Sequence, residues 1–275
     1  MQPSSNLSPD GNPELSIVIP AWNEAQRLPR TLERIAAYLR RTGLHAEIII
    51  VNDGSTDATS FIARNIGHEM RLQVLENPGN RGKGYSVRSG MRAARGRYWL
   101  FTDADLSAPI EELEKLMAAL HSGADVAIGS RSRRELILSH QSRWREFAGR
   151  TFNRLVFLIL GLRFRDTQCG FKLFRAESAD WIFARQRITR WGFDPELLFL
   201  ARLRGLRVDE IPVTWSHAEG AKIHMIRDSA RMFAEILAIR WHALRGHYCD
   251  SALSADRRNT DLPSNSAASI PPPRG

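Results

Sequence analysis

The sequence predicts an α/β fold built on a mostly parallel sheet covered by helices on both faces. Three observations carry this. Short runs rich in Ile, Val and Leu alternate with helix-like stretches through the first 130 residues. No internal repeat interrupts the alternation. Several polar motifs fall at the carboxyl ends of the runs, where parallel sheets bind their ligands.

The predicted strands are Leu15–Ile19, Glu47–Val51, Leu72–Leu75, Tyr98–Thr102 and Asp125–Ile128. Between them lie helical stretches at Glu24–Arg41, Asp57–Ile66, Lys83–Ala94 and Ile110–His121. The first repeats Leu28, Leu32, Ile35 and Leu39 at steps of three and four. Ser55, after the Asp53-Gly54 turn, suits the N-cap of the second. Past residue 130 the alternation fades, and that half is expected to supply further ligand binding and membrane contact.

Composition narrows the partners. A net charge of +9 over 275 residues points to an anion, whether nucleic acid, anionic lipid or phosphorylated substrate. The basic residues are mostly arginine, with lysine only at Lys83, Lys115, Lys172 and Lys222. Arginine forks suit phosphate, although an arginine-rich genome produces the same bias. Cys169 and Cys249 are too few and too far apart for a disulfide framework or a zinc site, and fit a reducing compartment. No signal-peptide pattern opens the chain and no run of about 18 apolar residues occurs, so any membrane contact is expected to be peripheral.

Each polar motif admits a chemical and a structural reading. Pro20-Ala21-Trp22-Asn23-Glu24 stops the first strand with a proline and offers an aromatic ring and two polar groups to a nucleobase. The same residues could start a helix, with Asn23 as cap. Asn52–Asp57 after the second strand presents Asp53 to a base or ribose, or forms a capped turn. Asp103-Ala104-Asp105 after the fourth strand is the sharpest signal. Two carboxylates at i and i+2 beside a core are costly unless paired. A divalent cation shared with a diphosphate, Mg²⁺ or Mn²⁺, resolves that cost. Gly79–Gly84 matches no standard phosphate loop, but Arg81 and Lys83 could approach a phosphate from it. Arg131, Arg133 and Arg134 after the fifth strand suit a phosphorylated acceptor, or are a solvated basic loop.

In order and spacing, Pro20–Glu24, Asn52–Asp57, Asp103–Leu106 and Gly129–Arg131 resemble family 2 inverting glycosyltransferases of the GT-A fold. Arg165–Phe174, Trp191–Leu198, Glu210–Val213 and Gly220–Lys222 are similar to stretches of the dolichyl-phosphate β-glucosyltransferases, and bacterial polyprenyl-phosphate relatives share them. The resemblance covers about residues 14–245. It implies transfer of glucose from UDP-glucose to a polyprenyl phosphate. Pro20, Trp22, Asn23, Glu24, Asp53, Lys83 and Asp103 would bind the nucleotide-sugar, and Asp103 and Asp105 the metal. Arg131, Arg133 and Lys222 would bind the acceptor phosphate, with Asp105, Arg131 and Asp194 as the catalytic set. A phosphate acceptor is largely ionised at pH 7 and needs no base. Asp194 could still serve as a base or orient an arginine, and the second is the expectation. Ala221 replaces the serine of the family's Gly-Ser-Lys loop, which weakens the role of Lys222. Gly192 and Pro195 also depart from the family's pattern.

The implied organisation is a disordered 1–13, a GT-A domain over 14–215, an acceptor loop and amphipathic helix over 216–247, and a disordered 248–275. Arg145–Leu160 mixes Phe147, Phe152 and Phe157 with Arg145, Arg150 and Arg154. In Asp228–Arg245, Met232, Phe233, Ile236, Leu237 and Leu244 oppose Arg231, Glu235, His242 and Arg245. Such helices lie in the headgroup plane, at a depth that suits Trp144 and Trp241, or pack on the domain. The expected place is the cytoplasmic face of a membrane, and self-association is left open. Competing readings are GDP-mannose as donor, a glycan as acceptor, and a binding module without catalysis. A nucleic-acid binder is disfavoured because no such motif occurs and acids intersperse the basic residues.

Overall fold

A computed structural model describes residues 11–66, 71–139, 143–216 and 225–249. Seven strands form the central sheet: β1 (Leu15–Ala21), β2 (Ala46–Asn52), β3 (Leu72–Glu76), β4 (Tyr98–Thr102), β5 (Val126–Ser130), β7 (Phe171–Arg175) and β8 (Val208–Pro212). Their spatial order is β3-β2-β1-β4-β7-β5-β8. All neighbours run parallel except β7, which lies antiparallel between β4 and β5. β6 (Ile137–Ser139) and β9 (Trp215–Ser216) pair separately.

On one face pack α1 (Leu28–Thr42), α2 (Thr59–Ile66) and α4 (Leu113–His121). The other face carries α3 (Lys83–Ala93), α5 (Arg143–Leu160), α6 (Ala176–Arg185), α7 (Phe193–Leu203) and α8 (Met225–Leu244). The strands serve both layers by alternation: Ile17, Ile48 and Leu100 face the first, and Val18, Ile49 and Phe101 the second. The five predicted strands and four predicted helices are all present, within a few residues.

Three local expectations need correcting. Pro20 does not end β1, which runs on to Ala21. Pairing with β4 stops at Val18, so the missing proline N–H lies where no ladder needs it. The first helix begins at Leu28 with proline in its first turn and no side-chain cap, so Asn23 does not cap it. Nor does Ser55 cap α2: the Asp57 carboxylate accepts from the Thr59 N–H at 3.0 Å.

The larger correction concerns the second half, which contributes β7 and β8 to the sheet. β7 hides from pattern reading because Lys172 stands at an inward position among Phe171, Leu173 and Phe174. β8, Val-Asp-Glu-Ile-Pro, is an edge strand with none of its residues fully buried.

α8 is not divided into one apolar and one polar face. Ile236 and Ile239 are buried inward, while Phe233, Leu237, Trp241 and Leu244 point out with exposures of 40–74%. Glu235 and His242 turn partly inward, and Arg231 and Arg245 flank the outer stripe. On α5, Phe157 and Leu158 are exposed. The side chains of Trp144, Arg145, Phe147 and Arg150 lie outside the described ones.

Candidate active site

The carboxyl ends of β1 and β2 are knitted together. The Asn23 N–H donates to Ser55 Oγ at 2.9 Å, and the Asn23 side-chain oxygen accepts from the Thr56 N–H at 2.8 Å. The Glu24 N–H donates to Thr59 Oγ1 at 2.7 Å. Asn23 holds a left-handed conformation, φ +54°, which asparagine tolerates better than most residues. The turn leaves Trp22 40% exposed beside these loops.

Asp53 is buried, and its carboxylate is already engaged. It accepts from Asn77 Nδ2 at 2.7 Å and from the backbone N–H groups of Arg81 and Gly82 at 2.9 and 2.8 Å. It thus pins the Gly79–Gly84 loop to the end of β2. The loop requires its glycines: Gly82 has φ +102°, and a Cβ there would lie 2.6 Å from the Thr189 carbonyl oxygen. A Cβ on Gly84 would lie 2.7 Å from the Ile188 oxygen.

Lys83 opens α3, where a cation opposes the helix dipole. Its ammonium sits 2.5 Å from Asp103 Oδ1 and faces the Trp191 ring at 5.6 Å. Burial would lower the Lys83 pKa, but Asp103 and Asp194 outweigh it and hold the amine protonated. After Asp103 the chain turns sharply, with the Leu106 N–H bonded to the Asp103 carbonyl and Leu106 at φ +46°. For leucine that backbone costs about 1–2 kcal/mol. The turn lets Asp105 accept from the Ser107 N–H at 2.9 Å, 3.9 Å from Arg27 Nη1.

The Asp103 carboxylate rests on Gly170, where a Cβ would fall 2.2 Å from Oδ2. Behind it Lys172, fully buried against the Phe101 ring, donates to the Cys169 carbonyl at 2.6 Å and pairs with Asp194. Burial pushes the Asp194 carboxyl up, while Lys172 and Lys83 pull it down. Asp194 was expected to orient an arginine; its partner is Lys172. Among the described residues, no three His, Cys, Asp or Glu side chains converge as a metal cage. The donor set nonetheless fits a hard divalent cation. Two aspartates supply oxygen, one of them against bare glycine, and phosphate and water would complete the shell.

Arg131, at the end of β5, is held by Asp166: Nε and Nη2 donate at 2.6 and 2.8 Å, and its backbone N–H at 3.0 Å. Burial would raise the Asp166 pKa, but Arg131 reverses this and holds it at about 2. Glu210 of β8 fixes the loop beneath, accepting from Ser130 Oγ at 2.7 Å and the Asp166 N–H at 2.8 Å. Trp215 lies 5.4 Å from the guanidinium. Arg133 is exposed on the same loop, and Lys222 lies outside the described residues.

Sequence reasoning gave no role to Asp166, Lys172 or Glu196. The first two lie inside the conspicuous Arg165–Phe174 stretch, and a lone lysine within an apolar strand is itself a signal. Glu196, in the first turn of α7, is fully buried. It accepts from the N–H groups of Arg187 and Ile188 at 2.9 and 2.8 Å and from Tyr248 at 2.7 Å, while burial pushes it up to about 7.

Comparison with known proteins agrees with this architecture. The model of "Glycosyl transferase family 2" matches residues 16–183. A Drosophila melanogaster dolichyl-phosphate beta-glucosyltransferase is 40% identical over 226 residues, 76% of this chain and 69% of its own. The Saccharomyces cerevisiae protein of that name is 36% identical over 86% of this chain and 77% of its own, and the Homo sapiens one 34% over 85% and 76%. Mannosyl-3-phosphoglycerate synthase from Rubrobacter xylanophilus superposes with a TM-score of 0.65 at 18% identity, over 94% of this chain and 79% of its own. Glucosyl-3-phosphoglycerate synthase from Mycobacterium tuberculosis, in complex with Mn²⁺, UDP-glucose and phosphoglyceric acid, gives 0.60 at 17% identity, over 83% and 80%. The sheet is that of the GT-A fold, and the chain belongs to glycosyl transferase family 2.

Proposed function

We propose that the chain transfers glucose from UDP-glucose to a polyprenyl, dolichyl-type phosphate, with inversion, giving UDP and a β-glucosyl phosphopolyprenol. The observation that carries transfer chemistry is the Asp103 carboxylate at the end of β4, seated on Gly170 and beside Lys83. The relatives' names support the sugar and the acceptor.

An acceptor phosphate oxygen attacks C1 of glucose from the face opposite the nucleotide, and the C1–O bond to UDP breaks with its electron pair. No side chain need remove a proton, because the phosphate is already ionised. Trp22 and the loops held by Asn23 and Asp53 supply the nucleoside end of the site. Asp103 and Asp105 would hold Mg²⁺ or Mn²⁺, whose charge stabilises departing UDP. Lys83 adds a fixed cation there. Arg131, oriented by Asp166, faces the acceptor together with Arg133, and Lys222 belongs to the same proposal. Asp194 neutralises Lys172 below the site.

The outer stripe of α8, with Phe157 and Leu158 of α5, supports peripheral binding at a membrane surface, and the proposed side is the cytoplasmic face. Among the described residues no helix is long and apolar enough to cross one.

The test is incubation of the protein with polyprenyl phosphate, Mg²⁺ or Mn²⁺, and labelled UDP-glucose or GDP-mannose. Label from UDP-glucose should enter the organic phase as an acid-labile lipid. Label from GDP-mannose alone would replace the donor, and hydrolysis without lipid product would remove the acceptor.

A further inference from the structure

Between α6 and α7 runs a short segment, Gln186–Gly192, that touches the site from behind. Its Thr189 carbonyl accepts from the Tyr85 N–H at 2.9 Å and closes over Gly82, and its Ile188 carbonyl closes over Gly84. Gln186 Nε2 donates to the Gly84 carbonyl at 2.8 Å. Trp191 lies against the Lys83 ammonium. The segment is therefore the rear wall of the turn that aims Lys83 at Asp103.

Two carboxylates hold this segment, one at each end. Glu196 takes the N–H groups of Arg187 and Ile188. Glu235, from the middle of α8, accepts from the Gly192 N–H at 2.7 Å. The fit at Gly192 is close: a Cβ there would lie 2.7 Å from Glu235 Cβ. Glu235 is partly buried one residue before inward-facing Ile236, and its pKa is raised by burial against the Gly192 bond. A carboxylate turned inward from a helix that has apolar side chains to bury is costly unless its bond matters to the fold or the site.

We propose that Glu235 is a positioning residue, which fixes Gln186–Gly192 and through it the Gly82–Tyr85 turn, so that the seating of α8 sets where the Lys83 ammonium stands relative to Asp103. The catalytic consequence rests on the transferase reading; the mechanical one does not. If α8 also meets the lipid surface, one helix links lipid contact to the charge beside the nucleotide.

The experiment uses the full chain with Glu235→Ala and Glu235→Gln, followed by amide hydrogen exchange and by glucosyl transfer. Glu235→Ala should speed exchange in peptides spanning 82–87 and 186–192 about tenfold, as expected for loss of a hydrogen bond to a charged group, while β1, β2 and β4 stay protected. The kcat should fall about tenfold with acceptor KM unchanged, and Glu235→Gln, which still offers a carbonyl oxygen, should recover most of both losses. If Glu235→Ala also loosens the strands, Glu235→Gln alone is read: slow exchange with near-native kcat supports the proposal. Unchanged exchange at 82–87 in Glu235→Ala overturns it, as does a Glu235→Gln chain with protected strands but fast exchange at 82–87 and low kcat. A parent chain that transfers no sugar, while Glu235→Ala still loosens 82–87, would sink the transferase reading and leave the positioning role standing.

Discussion

At the scale of single residues, the site depends on what Asp103 and Asp105 can hold. Asp105→Asn keeps the size and the acceptor oxygen for Ser107 but removes a charge. It should abolish transfer while the circular dichroism spectrum and melting temperature stay near those of the parent. Gly170→Ala is a sharper test, because its new methyl would occupy the space of the Asp103 carboxylate. We expect the affinity for UDP with Mn²⁺ to fall at least about tenfold by titration calorimetry, in a chain that still folds. Arg131→Ala should lower kcat or raise acceptor KM more than it weakens UDP binding. It should also cost about 1–3 kcal/mol of stability, since buried Asp166 would lose two hydrogen bonds from a partly exposed guanidinium and keep those from the Arg131 and Gln168 N–H groups. An isolated loss of UDP affinity would remove Arg131 from the acceptor side.

At the scale of elements, the buried acid of α7 gives a pH signature. Glu196 is raised from 4.5 to about 7, so the folded chain binds its proton more tightly than the unfolded one. Its contribution is present in full below about pH 4.5 and is lost as the pH rises through about 7. Melting curves between pH 5 and 8 should therefore show stability falling with pH more steeply in the parent than in Glu196→Gln. The elements themselves were legible where burial and period agree: α1 shows its apolar step of three and four, and β1, β2 and β4 are mostly aliphatic or aromatic. β7 and β8 were not, because one carries a buried lysine and the other is a half-polar edge. Asp103 and Asp105 could be read from the chain because they follow an apolar strand at once. Asp166 could not, because its partner Arg131 is 35 residues earlier and only the sheet brings them together. The same holds for Glu235, which looked like a solvent-facing residue of an amphipathic helix and turns inward to Gly192.

For the whole molecule, the outward apolar residues of α8 predict behaviour with lipid. Flotation with vesicles containing anionic phospholipid should carry the chain upward, and Leu237→Asp with Trp241→Asp should leave it in the dense fraction with its melting temperature unchanged. Failure of the parent to float with any vesicle would detach the membrane proposal from the transfer chemistry. The placement of β7 has another consequence. A ribosome that has released residues up to 130 has issued β1 to β5, yet β4 and β5 do not pair with each other and stay unjoined until Phe171–Arg175 slides between them. Both therefore wait with open backbone edges, and the acid pair after β4 has no glycine floor until the same stretch arrives. Such a chain gains its cooperativity late, and its truncations short of Arg175 should aggregate rather than fold as smaller versions of the sheet.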